Sequence, residues 1–275
     1  MTLRLLSYNI RYGGLGRVET IARVINDSAP DLVLLQEATR PRVVEQLAAA
    51  TGMTEWRSFE RQSLAFLSRR PIAVAEWRRP RFSRHAFIEV VPTGMNVRIF
   101  GVHLSAVHAA WTERRRAFEL RGLLRGIAQH QGGFHVLAGD FNTLAPGELL
   151  EMRALPRRLQ ALVWLSGGRI KWRTIQMILD AGYTDAYRLR HFQDIGHTFP
   201  TWAPHLRLDY AFVPAAFSER VIACDVVKHP EAARASDHFP IVAELDCCGR
   251  PDYTAGLHCR ERYPPLYILQ TLVAA

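Results

Sequence analysis

The chain has 275 residues, 48% hydrophobic and 22% charged, an ordinary globular composition with enough length to bury a sizeable core. No apolar run reaches the roughly 20 residues that a membrane-spanning helix needs. The opening MTLRLLSYNI has neither the long apolar stretch nor the small-residue cleavage site of a secretory signal, so a cytoplasmic protein is expected. The net charge of +9 suits a polyanionic partner, although nearly all of the positive charge is Arg, with Lys only at Lys171 and Lys228.

Short apolar runs rich in β-branched residues read as strands at Leu3–Ile10, Asp31–Gln36, Leu64–Ser68, Ala86–Val91, Val97–Leu104, Phe134–Gly139, Leu208–Val213, Val221–Val227 and Pro240–Leu245. Helical spacing falls between some of them. Val18, Ile21, Ala22 and Ile25 share one face. Val43, Val44, Leu47 and Ala48 begin a second helix, closed by Gly52. Phe118, Leu120, Leu123, Leu124 and Ile127 mark a third, ended by Gln131-Gly-Gly. Helices separate some strands and others follow directly, so packed sheets with helices outside are expected. The strand pattern covers residues 1–246 as one domain.

Two segments fall outside that pattern. Residues 151–179 carry Arg153, Arg157, Arg158, Arg169, Lys171 and Arg173, with no acid between Met152 and Leu179. This basic insert reads as a helical hairpin with a solvated Arg face, or as a grip on a nucleic-acid backbone or an anionic membrane surface. The Arg114-Arg-Arg run reads as the exposed side of its helix. The tail, 247–275, holds Gly249, Pro251 and Pro264-Pro265 and reads as a loosely ordered extension. Cys224, Cys247, Cys248 and Cys259 lack standard zinc-ligand spacing and are expected to be reduced thiols.

Polar residues sit at strand ends where a core would not want them. Asn9 ends the first strand, Glu37 follows the second, and His103 lies near the end of Val97–Leu104. Asp140 and Asn142 follow Phe134–Gly139, Asp209 lies within Leu208–Val213, and Asp237-His238 precedes the last strand. Each alone has an ordinary explanation as a cap or turn residue. Together they supply hard oxygen donors, a His–carboxylate pair and amide donors. Hard oxygens favour Mg²⁺ or Mn²⁺ over zinc, and the inventory fits phosphoryl chemistry.

In order along the chain, SYNIR (7–11), LLQE (34–37), GVHL (101–104), GDFN (139–142), RLDYAFV (207–213) and SDHFP (236–240) resemble the signature of the endonuclease/exonuclease/phosphatase superfamily, the DNase I-like and exonuclease III-like group. The resemblance covers about residues 1–246. It implies a four-layer α/β sandwich, two packed mixed β-sheets flanked by helices. It implies Glu37 as the principal metal ligand, with Asn9 and Asp237 nearby, and Asp140 orienting or deprotonating the attacking water. Asn142 and His103 would donate to the phosphate oxygens. His238 would contact the scissile phosphate, held by Asp209.

The implied enzyme is a divalent-metal-dependent hydrolase of phosphate esters, a phosphodiesterase or nuclease acting as a monomer by in-line attack of water. Arg11, Trp202, Arg157, Arg158, Arg169 and Arg173 are the expected substrate contacts. A lipid or inositol-type phosphatase at a membrane surface is the rival enzyme class. A noncatalytic binding module is disfavoured because Glu37, Asp140 and His238 are all present. SYNIRYGG differs from the usual opening of apurinic-site endonucleases, and Leu206 stands before Arg207 where those enzymes carry an aromatic residue. Both departures count against abasic-site repair.

Overall fold

The structure, a computed structural model, describes residues 1–81, 83–106, 110–148 and 172–248. Numbered in chain order, six strands form the first sheet: β1 (Thr2–Asn9), β2 (Leu32–Gln36), β3 (Glu55–Arg57), β4 (Ala65–Ser68), β11 (Val221–Val226) and β12 (Ile241–Asp246), in the order β11-β12-β1-β2-β4-β3. The second sheet holds β5 (Ile72–Arg78), β6 (Phe87–Pro92), β7 (Arg98–His103), β8 (His135–Asp140), β9 (Tyr183–Asp185) and β10 (Asp209–Pro214), in the order β5-β6-β7-β8-β10-β9. All nine strands read from the sequence are present. Missing from that reading were β3, β5 and β9. Two are three residues long, too short to show a pattern, and β5, which opens with the apolar run Ile72-Ala-Val-Ala, is an edge strand whose residues are at most partly buried.

Alternation along each strand builds the layers. On β1, Leu3 and Leu5 point between the sheets, where they join Leu34, Ile88, Val136 and Ala211 in the central core. Leu6 and Tyr8 point the other way, onto α1 (Val18–Ser28) and α2 (Pro41–Thr51). On the far side, Phe100, Leu137 and Phe212 pack on α3 (Ala110–Gly126) and α4 (Arg173–Asp180). Two short helices, α5 (Ala186–Arg190) and α6 (Pro230–Ala235), complete the α-helices among the described residues. The result is the expected four-layer sandwich of two mixed sheets flanked by helices.

Several local expectations need correction. Phe118 is 44% exposed, while Leu120 and Leu123 are buried. Residues two apart on a helix point to nearly opposite sides, so Phe118 cannot share their face. The helix itself stops at Gly126, and a 3-10 turn over Ala128–His130 leads into Gln131-Gly-Gly. In the Arg114-Arg-Arg run only the first two are exposed. Arg116 is buried, donating to Glu113 Oε2 from Nε and Nη2 at 3.1 and 3.0 Å, and to the Ser105 carbonyl at 2.9 Å.

Of the basic insert, 172–179 lies among the described residues and the rest lies outside them. Its described end begins α4, where Ile175 and Ile178 join the core beneath the second sheet and Arg173 stays exposed. Arg157, Arg158 and Arg169, like the tail beyond Cys248, lie outside the described residues. Cys224, Cys247 and Cys248 are free thiols.

Strand direction places the site. β1 with β2, and β7 with β8, are parallel pairs. β10 runs antiparallel to β8, and β12 antiparallel to β1. The C-terminal ends of the first four therefore meet the N-terminal ends of the last two at one edge of the sandwich. The polar residues picked out by the sequence occupy that edge.

Candidate active site

Asp140 is the hub of the cluster. It ends β8 directly opposite Asp209 on β10, and both are 1% exposed. Asn9 Nδ2 donates to Asp140 Oδ2 at 3.0 Å and to Glu37 Oε1 at 3.3 Å, bridging the two carboxylates across the sheets. The Asn142 backbone donates to Asp140 Oδ1 at 2.8 Å, and Asn142 Nδ2 donates to Asp140 Oδ2 at 3.1 Å and to the Leu104 carbonyl at 3.0 Å. Asn142 reaches this position with φ 53, and Glu37 turns off β2 with φ 56. Such left-handed backbone at ordinary residues is concentrated at functional sites. Gly139, at φ 150, lies so close to β7 that an added Cβ would sit 1.9 Å from the Val102 carbonyl oxygen.

His238 Nδ1 bonds Asp209 Oδ2 at 2.8 Å, which leaves Nε2 facing Asp140 Oδ2 at 4.0 Å. Burial works against its charged form, but Asp209 and Asp140 outweigh it and raise its pKa to about 10. Burial raises the Asp140 pKa, while His238 opposes the rise. His103 is the opposite case. Burial, with His85 and His238 nearby, lowers its pKa to about 3 and keeps the ring neutral. Its Nδ1 bonds Ser63 Oγ, and its Nε2 lies 3.9 Å from Asp140 Oδ2. The same Ser63 Oγ accepts the Glu37 backbone N–H at 3.3 Å.

Asp237 stands at the rim. Its Oδ2 pairs with Arg11 Nε at 3.2 Å, and its carbonyl accepts the Thr201 N–H at 3.0 Å. Ser236 Oγ donates to the Asn9 carbonyl at 2.6 Å, tying the approach to β12 to the end of β1. Trp202 follows Thr201 and is 68% exposed. The structure thus brings Asn9, Glu37, His103, Asp140, Asn142, Asp209, Asp237 and His238 together, with Arg11 and Trp202 at the margin. Arg173 is not among the side chains that contact this cluster.

Sequence reasoning missed Ser63, Ser236, Tyr12 and His85. Ser63 lies in no motif, and Ser236, although it opens SDHFP, was given no role there. His85 stacks on His103 with ring centroids 5.0 Å apart, and a signal for it did exist. Arg78, Arg79, Arg81, Arg84 and His85 fall between Glu76 and Glu89 with no acid among them. Buried Glu119 on α3 holds this loop beside the site, accepting the N–H groups of Arg84 at 3.2 Å and Ser105 at 3.1 Å.

The donor set fits a hard cation. Glu37 and Asp237 offer partly exposed carboxylate oxygens, with the buried Asn9 Oδ1 beside them accepting the Arg11 N–H, and Asp140, Asp209 and His238 place ligand-type atoms within 4.8 Å of one another, a group that could hold a metal ion. Two sheets with acids, amides and a carboxylate-held imidazole at their shared edge define a phosphate-ester hydrolase of the DNase I-like sandwich class. The chain belongs to the Endonuclease/Exonuclease/phosphatase family, whose sequence profile matches residues 6–238. Solved structures agree in fold. An AP endonuclease from Archaeoglobus fulgidus is 18% identical, covering 89% of this chain and 99% of its own, with a TM-score of 0.67. A variant of the 3' phosphatase NExo from Neisseria, bound to a product DNA hairpin, is 19% identical over 89% and 99%, at 0.66. TDP2 from D. rerio, complexed with single-strand DNA product, is 19% identical over 89% and 99%, at 0.63. A comparison with curated proteins found no match.

Proposed function

We propose that the chain hydrolyses phosphodiesters of nucleic acid with Mg²⁺ or Mn²⁺, by in-line attack of water. The observation that carries this reading is the convergence on Asp140 of Asn9 and Glu37 from the first sheet and of the Asp209–His238 pair, which joins β10 of the second sheet to the approach to β12 of the first. Glu37, with Asn9 and Asp237, would hold the cation, which when bound supplies Lewis-acid charge to the phosphoryl oxygens. Asp140 orients the attacking water and accepts its proton. Asp209 fixes the imidazole by taking its Nδ1–H, so His238 directs Nε2–H at the phosphate. Neutral His103 and the Asn142 amide add donors aimed at charge that develops in the transition state. Asn142 Nδ2 is engaged with Asp140 and the Leu104 carbonyl, so its contact to phosphate requires exchange of one of these bonds.

Nucleic acid is favoured as substrate by the basic loop at 78–85 beside His103, and by the DNA products bound to NExo and TDP2. Among the described residues no helix is long and apolar enough to cross a membrane. The test is to assay purified protein with Mg²⁺ or Mn²⁺ against DNA, RNA, inositol phosphates and a lipid head-group diester. Metal-dependent cleavage of a nucleic acid is expected. Faster turnover of the lipid or inositol substrate would move the assignment to that class, and full activity after exhaustive EDTA treatment would remove the metal from the mechanism.

A further inference from the structure

Four successive residues, Arg11, Tyr12, Gly13 and Gly14, have positive φ, at 49, 49, 73 and 67. Glycine suits the last two. Arg11 and Tyr12 are β-carbon residues held in a region their side chains disfavour. The backbone reason for the turn is visible: the Tyr12 N–H donates to Glu37 Oε2 at 2.6 Å, and the Arg11 N–H to Asn9 Oδ1 at 2.9 Å. Any residue but proline would supply those N–H groups, and glycine would do so without strain. The Tyr12 side chain must therefore be accounted for separately. It buries little, being 75% exposed, the most exposed large apolar or aromatic group among the described residues.

Its position gives the account. The Tyr12 backbone is bonded to the carboxylate assigned to the metal, and its ring lies 5.3 Å from the Arg11 guanidinium carbon. That guanidinium is itself held 3.2 Å from Asp237 Oδ2. Arg11 is thus fixed between the rim carboxylate and the aromatic ring, and the ring stands beside the site with a face open to solvent. On the other side of Asp237, the Thr201 N–H bonds its carbonyl and delivers exposed Trp202. A planar, solvent-facing ring beside a phosphate-processing cluster suits a planar aromatic ligand joined to that phosphate, and the ligand of that description is a nucleobase.

We propose that Tyr12, with Arg11 against it, is a stacking platform for a base of the substrate strand adjacent to the reacting phosphate. The proposal rests on the nucleic-acid reading above and adds to it a base-binding subsite. Stacking is indifferent to base identity, so the platform confers a requirement for a base and no sequence preference.

The experiment measures binding, not turnover. A short single-stranded, all-phosphorothioate oligonucleotide is titrated in Mg²⁺ against wild type, Tyr12→Phe, Tyr12→Ala and Tyr12→Gly, with each nucleotide in turn replaced by an abasic tetrahydrofuran unit. In wild type, one abasic position should raise Kd about 5- to 100-fold. That penalty should persist in Tyr12→Phe and vanish in Tyr12→Ala, because the platform is gone. Tyr12→Gly should melt no lower than wild type, since relief of backbone strain offsets loss of the exposed ring's contact with Arg11. The proposal is overturned if no abasic penalty depends on Tyr12, if wild type does not bind the oligonucleotide, or if Tyr12→Gly lowers the melting temperature. Failure of the phosphodiesterase reading would appear elsewhere, as absence of metal-dependent cleavage of unmodified nucleic acid.

Discussion

At the level of single residues, the roles proposed for the His238–Asp209 pair and for Glu37 are separable by substitution. His238→Ala should lower kcat by about 10²–10⁴-fold, the usual contribution of a positioned proton donor or acceptor. Asp209→Asn should cost less, because the ring remains but the carboxylate that fixes its orientation and Nδ1 tautomer is replaced by a neutral amide. Steady-state kinetics on a small chromogenic phosphodiester, with melting curves to confirm folding, distinguish the two; equal losses would mean that Asp209 has a role beyond orientation. Glu37→Gln keeps the shape and an oxygen donor but removes the charge. It should abolish most activity, and a raised metal requirement in a Mg²⁺ titration is the signature that separates loss of a ligand from loss of fold. Unchanged metal dependence with reduced kcat would move the cation to the Asp140–Asp209–His238 group.

At the level of elements, the site depends on β7 and β8 approaching closely. Gly139 permits this, since a Cβ there would overlap the Val102 carbonyl. Gly139→Ala should destabilise the fold by more than about 4 kcal/mol, the range reserved for severe steric or core defects, as read by urea denaturation. A second constraint joins the loop after β8 to β10. Arg207 is 1% exposed; its Nη2 pairs with Glu148 at 2.7 Å and its Nη1 with Asp185 at 2.6 Å. Removing one member of a buried ion pair strands the other charges, so Arg207→Ala should cost about 3–5 kcal/mol. A loss under about 1 kcal/mol would show that water readily reaches Glu148 and Asp185. None of the three residues announces this task in the sequence, where Arg207 reads only as the first letter of a motif.

For the molecule as a whole, the excess of positive charge becomes informative only once it is placed. A site flanked by the 78–85 loop should bind nucleic acid with a steep salt dependence, log Kd rising by about 0.7 per phosphate contact for each tenfold rise in salt on a single strand. Replacing Arg79 and Arg84 with Gln should flatten that slope by about 1–2 units while leaving turnover of a small diester intact. An unchanged slope would assign the electrostatic grip to another surface, with the 151–171 segment the next to test by the same substitution of Arg157, Arg158 and Arg169.

The sequence by itself determined the class of fold, the nine principal strands and the eight polar residues of the cluster. Short apolar runs rich in β-branched residues suit strands buried on both faces, and a carboxylate, amide or imidazole at the end of such a run is conspicuous against it. Edge strand β5 escaped because its residues are only partly buried, and β3 and β9 because three residues are too few to show a pattern. Phe118 was placed on the wrong side because helical spacing was read too loosely, and Arg116 because burial of an Arg depends on a partner such as Glu113 that tertiary packing must supply. Apart from the Asp209–His238 pair, which the resemblance implied, only the tertiary structure decided which polar residues touch. The Asn9 bridge between Glu37 and Asp140, the Ser63 link from Glu37 to His103, and the stack of His85 on His103 all join strands or loops distant in the chain. Hydrogen bonding and ring stacking act over a few ångströms of space, and local sequence carries no record of a neighbour that arrives from another sheet.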